Sequence, residues 1–144
     1  MTHVEGSIQM KVLLVGTDGA LLEGLSQSFA ALGYAPRVAP TVHDAHERAA
    51  TAAPMLVVVE RALASEASAQ VLAIPLAPGG ALVLYHTTVD SRPTIGPALQ
   101  RSVMADLTLP LERNRLMALA QHVQERLRAT GRGRRKTPPE QEAF

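Results

Sequence analysis

Two carboxylates, Asp18 and Glu60, close short aliphatic runs, Lys11-Val-Leu-Leu-Val15 and Met55-Leu-Val-Val-Val59, with Gly16 and Thr17 lying between the first run and its acid. Carboxylates at such strand ends are the groups that hold a hard divalent cation or take a phosphoryl group. A third run, Ala81 to Tyr85, is followed by His86, an imidazole that could move a proton, and by Thr87 and Thr88. A fourth, Asp106-Leu-Thr-Leu109, stops at Pro110. These are the places where a phosphate-handling α/β domain keeps its reactive groups, yet most of the groups such chemistry needs are missing.

Other chemistries find less support. The chain has no cysteine, which removes disulfides, thiol nucleophiles and cysteine-bound zinc. His43 and His46 share one helical face but have no third ligand in view, so no metal site is expected there. His86 could act as a general acid or base, though a histidine closing a buried strand is more often a hydrogen-bonded structural residue; His122 reads as solvated. Gly16 and Gly19 give G-x-x-G, not G-x-G-x-x-G, and no acid closes the run Tyr34 to Ala39, which argues against a dinucleotide site. No catalytic residue is assigned, and an enzyme is not expected.

The elements that must position these residues are legible in the hydrophobic pattern. Lys11 to Gly16 is apolar on both faces, as strands covered by helices on both sides of a parallel sheet are. Leu22, Leu25, Phe29 and Leu32 then recur at helical spacing, with Gly33 placed for a left-handed cap. Tyr34 to Ala39 is a second strand; Thr41 and Asp44 open a helix that Pro54 stops. Met55 to Val59 is the strongest strand and is expected to be central. Ser65 is expected to cap a short helix ending near Ala73, and the Pro75, Pro78, Gly79, Gly80 cluster turns the chain into Ala81 to Tyr85. A short helix near Ala98 to Val103, a strand at Asp106 to Leu109 and a last helix from about Leu111 to Arg128 complete the pattern. Five βα repeats predict a doubly wound parallel sheet of flavodoxin-like type, order 2-1-3-4-5, with helices on both faces.

The 144 residues, 47% hydrophobic and 19% charged, suit one soluble domain, and with 3% aromatics its core is built from Leu, Val and Ala. The apolar runs are too short to cross a bilayer and residues 1–9 lack a signal-peptide pattern, so a cytoplasmic protein without membrane attachment is expected. Residues 1–125 hold 8 basic against 11 acidic side chains, whereas residues 126–144 hold 6 against 2. The expected organisation is an extension over 1–9, a domain over 10–128 and a basic, disordered tail over 129–144. Arg132, Arg134, Arg135 and Lys136 could touch nucleic acid through non-specific electrostatics; a solubilising tail or linker is at least as good a reading, since base-stacking aromatics are absent.

The runs KVLLVGTD, APMLVVVE, ALVLYHT and ADLTLPL, in this order over roughly residues 10–128, resemble the receiver domain of bacterial response regulators. The resemblance implies an acid pair holding magnesium, a phosphorylated aspartate, a hydroxyl that follows the phosphoryl group and a lysine that pairs with it. Those positions fall on Gly16 and Thr17 (with Asp18 one place on), on Glu60, on Thr87 (preferred over His86) and on Leu109. The aromatic switch position falls on Asp106. By this resemblance the chain is a degenerate pseudo-receiver with its magnesium site lost and no cofactor. It is expected to act as a phosphorylation-independent interaction module, docking proteins, or a second copy of itself, through about Ala98 to Arg128. The alternatives are a receiver phosphorylated on Glu60 or Asp18, and a small flavodoxin-like enzyme or nucleotide-binding protein.

Overall fold

The computed structural model describes residues 10–87 and 93–143, with side chains as far as Ala129. Five strands, Lys11–Val15 (β1), Ala35–Ala39 (β2), Leu56–Glu60 (β3), Ala81–His86 (β4) and Ala105–Thr108 (β5), form one parallel sheet in the order β2-β1-β3-β4-β5. Among the described residues six helices connect and flank them: Gly19–Ala31 (α1), Val42–Thr51 (α2), Arg61–Glu66 (α3), Ser68–Leu72 (α4), Pro97–Ser102 (α5) and Arg113–Ala143 (α6). This is the expected doubly wound, flavodoxin-like arrangement.

Strand side chains alternate between faces, so each Val- and Leu-rich strand feeds two cores at once. Val12, Leu14, Val58, Val83, Tyr85 and Leu107 meet Leu22, Leu25 and Phe29 of α1 and Leu116, Ala120 and Val123 of α6. On the opposite face Leu13, Val57, Val59, Leu82 and Leu84 pack with Ala45 and Ala49 of α2, Val71 of α4 and Leu99 of α5. Burial on both faces is why these strands read as continuous apolar runs rather than alternating ones.

The local signals are visible in the backbone. Gly33 sits at φ +93°, the left-handed conformation that relieves the end of α1. Thr41 Oγ1 accepts the Asp44 N–H at 3.0 Å and caps α2. Pro97 occupies the first turn of α5, where its missing N–H costs nothing.

Two expectations need correction. The segment after Glu60 is not one helix capped by Ser65: α3 begins at once, at Arg61, and α4 follows after a break at Ala67. Ser65 Oγ donates instead to the Thr94 carbonyl at 2.6 Å. The buried Arg61 side chain is anchored across the sheet edge, which fixes the chain helically from its first residue. The last helix also runs to Ala143 in backbone, past the end expected near Arg128 and into the segment expected to be a disordered tail. The apolar stripe from Leu116 to Leu127 reports packing against the sheet, whereas the helix limit is set by backbone hydrogen bonding, which continues beyond it. The extension over 1–9 and the side chains of Arg132, Arg134, Arg135 and Lys136 lie outside the described residues.

Candidate functional site

In a 2-1-3-4-5 sheet the connections leave β1 and β3 in opposite directions, which opens a crevice at their carboxyl ends. Gly16 to Asp18 and Glu60 are brought together there, as the sequence implied. Glu60 ends β3 and precedes α3, but it makes no cap bond to that helix. Its Oε1 instead accepts two bonds from Thr17, the backbone N–H at 2.8 Å and the hydroxyl at 2.9 Å. The other carboxylate is also engaged, since Asp18 caps α1 with Oδ1 accepting the Leu21 N–H at 3.1 Å. Both acids are thus bonded by donors of the chain itself.

Beneath them lies a residue that sequence reasoning passed over. Tyr85 stands opposite Glu60 in the β3–β4 register and is fully buried. Its hydroxyl has no hydrogen-bond partner among the described residues. A Cβ at Gly16 would lie 2.1 Å from that oxygen, 3.2 Å from the ring Cζ and 3.3 Å from Glu60 Oε1. The phenol therefore fills the space that any side chain at position 16 would need. Burial pushes the Tyr85 phenol well above its ordinary range, and the negative charges of Glu60 and Asp18 push it further. The available signal was a tyrosine ending an otherwise aliphatic buried strand.

A second cluster occupies the ends of β4 and β5. Arg61, the first residue of α3, pairs through Nη1 with Asp106 Oδ2 and donates from Nε to the Pro93 carbonyl at 2.7 Å. The Arg61 and Asp106 side chains are only 11% and 20% exposed, so this is a largely desolvated pair. His86 Nδ1 lies 3.3 Å from Asp106 Oδ1 and its Nε2 lies 3.0 Å from Thr108 Oγ1. The Thr108 N–H donates to Glu112 Oε1 at 2.7 Å, and Glu112 Oε2 accepts from Arg115 at 3.1 Å. The Thr108 N–H bond holds the Glu112 carboxyl below its usual range, helped by Arg115. Asp106 is therefore the centre of a buried polar network, and His86 is the hydrogen-bonded strand-end residue.

The remaining positions are quickly placed. Leu109 is fully buried in the α1–α6 core and Thr87 is exposed. His43 pairs with Glu47 at 3.3 Å while His46 Nε2 meets the Gln70 carbonyl at 2.6 Å, so the two imidazoles are committed separately. His122 is exposed. Among the described residues no three His, Cys, Asp or Glu side chains converge as a metal site would require, and no helix is long and apolar enough to cross a membrane.

Solved structures with this architecture are plentiful. A CheY-like response regulator receiver domain from Methylobacillus flagellatus superposes with a TM-score of 0.66 at 17% identity, covering 81% of this chain and 99% of that one. The signal receiver domain of a LuxO repressor protein from Vibrio parahaemolyticus gives 0.60 at 20% identity, covering 82% and 92%. A response regulator from Chloroflexus aurantiacus gives 0.64 at 16% identity, covering 81% and 98%. No protein-family model matches the chain, and no curated protein does. At these identities the likeness establishes the fold: the chain has the architecture of CheY-like receiver domains.

Proposed function

We propose that this chain is a pseudo-receiver, a cytoplasmic protein-interaction module of bacterial signal transduction that works without phosphorylation and is not an enzyme. The observation that supports this most strongly is the internal closure of the crevice: Thr17 binds the Glu60 carboxylate through two donors while the Tyr85 phenol fills the space over Gly16. Aspartyl phosphorylation on this fold runs on charge neutralisation, with a cation cradled by acids and a fixed ammonium opposite. The residues present do not fit magnesium. The acid-pair positions carry Gly16 and Thr17, Asp18 is turned to its helix N-terminus, and a hard cation needs several free anionic oxygens in octahedral order. Leu109 brings an aliphatic side chain where the ammonium would stand. Glu60 carries one methylene more than aspartate and is tied back to Thr17, and displacements of about 1 Å cost on the order of 10²-fold in rate.

Its output is docking, constitutive or governed by something other than phosphate. By resemblance the docking face comprises about Ala98 to Arg128, where Leu111, 82% exposed, supplies an apolar contact beside the exposed Arg113 and Arg115. Incubation with magnesium and a small acyl phosphate, followed by intact-mass measurement, is the test. The expected result is an unchanged mass. A stable added phosphoryl group on Glu60 or Asp18 would overturn the proposal.

A further inference from the structure

If phosphate is not the input, the buried network at the ends of β4 and β5 contains a group that can be. We infer that His86 is a proton-operated latch linking the start of α3 to the start of α6, an inference that rests on the pseudo-receiver reading and names its regulation. Imidazole is the side chain whose charge ordinarily changes between about pH 5 and 8. This one is 7% exposed and touches two polar partners on the neighbouring strand.

The two protonation states demand different bonding. In the neutral ring Nδ1–H donates to Asp106 Oδ1 and Nε2 accepts from the Thr108 hydroxyl. In the charged ring both nitrogens donate, so the Thr108 hydroxyl must turn to accept at Oγ1 and lose its donor role. The imidazolium also draws on Asp106, the carboxylate that holds Arg61. Both ends of the network are therefore rebiased. Arg61 donates to the Pro93 carbonyl ahead of α5, and Thr108, whose hydroxyl meets the ring, holds Glu112 through its own backbone N–H and, through Glu112, Arg115 of α6.

The charged groups around the ring among the described residues are balanced. They are Asp106 on β5, Glu112 before α6, Arg61 on α3 and, behind Glu112, Arg115, two carboxylates against two guanidinium groups. On α5 the one charge is Arg101, which is exposed. A single added proton thus changes the sign of the cluster from neutral to cationic, at the face proposed for docking. The bond that has two arrangements is the one between the Thr108 hydroxyl and His86 Nε2, donated by the hydroxyl to the neutral ring and accepted by it from the charged one, as a two-state element requires.

The test is an NMR titration of the full chain from about pH 8 to about pH 5, without magnesium or phosphoryl donor, following the His86 ring and the backbone amides. The expected result is that the amides of Arg61, Thr108 and Glu112 shift with one midpoint, and that this midpoint is the one at which the His86 ring titrates. His86→Gln, which keeps a polar side chain at the site, should abolish the common shift. Thr108→Val, which retains the titrating ring, should keep the Arg61 shift while losing that of Glu112, and serves if the glutamine variant does not fold. A His86 ring that never titrates, or amides that move independently of it, would overturn the inference. Phosphoryl uptake in the separate mass experiment would remove the pseudo-receiver reading and leave this titration standing.

Discussion

Replacing Gly16 with alanine places one methyl group 2.1 Å from the Tyr85 hydroxyl oxygen, well inside van der Waals contact. Tyr85 is fully buried between β3 and β5, so the ring has no exposed route by which to withdraw. Overpacking of this kind costs about 1–3 kcal/mol, offset by about 0.4–1 kcal/mol from the stiffer unfolded chain. The net loss expected for Gly16→Ala is about 1–2 kcal/mol, a fall in melting temperature of roughly 3–6 °C for a chain of this length. Tyr85→Phe removes the clashing oxygen together with a buried hydroxyl that has no partner among the described residues, and should be neutral or stabilising by up to about 1 kcal/mol. In the double variant the nearest neighbours of the new methyl group are the ring Cζ, 3.2 Å away, and Glu60 Oε1, 3.3 Å away, contacts that small shifts relieve. The double-variant cycle, read by urea unfolding with an unchanged slope, should therefore show a favourable coupling of about 1–2 kcal/mol. Stability of Gly16→Ala equal to the parent, or losses that simply add, would refute the packing of position 16 described above.

Arg61→Ala leaves Asp106 largely desolvated with its guanidinium gone, and should cost about 2–4 kcal/mol, below the fully buried case because Asp106 keeps some contact with water; the pair Arg61→Met and Asp106→Leu together should recover most of that loss in chemical denaturation. The chain holds 2 tyrosines and no tryptophan, so phenolate absorbance is readable without interference. Both phenols are raised, Tyr34 chiefly by burial with Arg128 partly opposing, and Tyr85 by burial and two carboxylates. Ionisation in the folded protein should therefore lag the ordinary value of about 10. Because the folded state keeps these protons longer than the unfolded chain, their stabilisation is complete below that value and is lost as pH rises toward the raised ones. Tyr85→Phe should flatten the alkaline decline in melting temperature; an unchanged slope, or a parent titrating at the ordinary value, would contradict the burial assigned to Tyr85.

Much of the scaffold is legible in the sequence because its causes are local. Strand runs such as Leu56 to Val59 state their two-faced burial in composition, Gly33 states its turn, and Thr41 with Asp44 states a helix start. The candidate site is legible in place but not in content. Glu60 and Asp18 can be set at one sheet edge from topology alone. That Thr17 would take the Glu60 carboxylate, 43 residues away, depends on the approach of two loops. The Arg61–Asp106 pair, 45 residues apart, and the exclusion of a side chain at Gly16 by Tyr85 likewise exist only once β1, β3, β4 and β5 lie side by side. Arg61 in particular reads as an ordinary loop cation until Asp106 is placed beside it. The run from Arg61 to Leu72 is less legible for a related reason: small residues such as Ala62, Ala64, Ala67 and Ala69 carry little periodic signal, while Arg61, Ser65 and Ser68 are tied to Pro93, Thr94 and Gly96 across the fold.

A crevice closed from within by Thr17 and Tyr85 should not take up the cation on which phosphoryl transfer would depend. Titrating magnesium into the uniformly 15N-labelled chain while following the amides of Gly16, Thr17, Asp18 and Glu60 measures this at the residues concerned. No saturable movement of these four amides is expected at millimolar magnesium. A saturable shift with one-to-one stoichiometry, centred on Asp18 and Glu60, would contradict it.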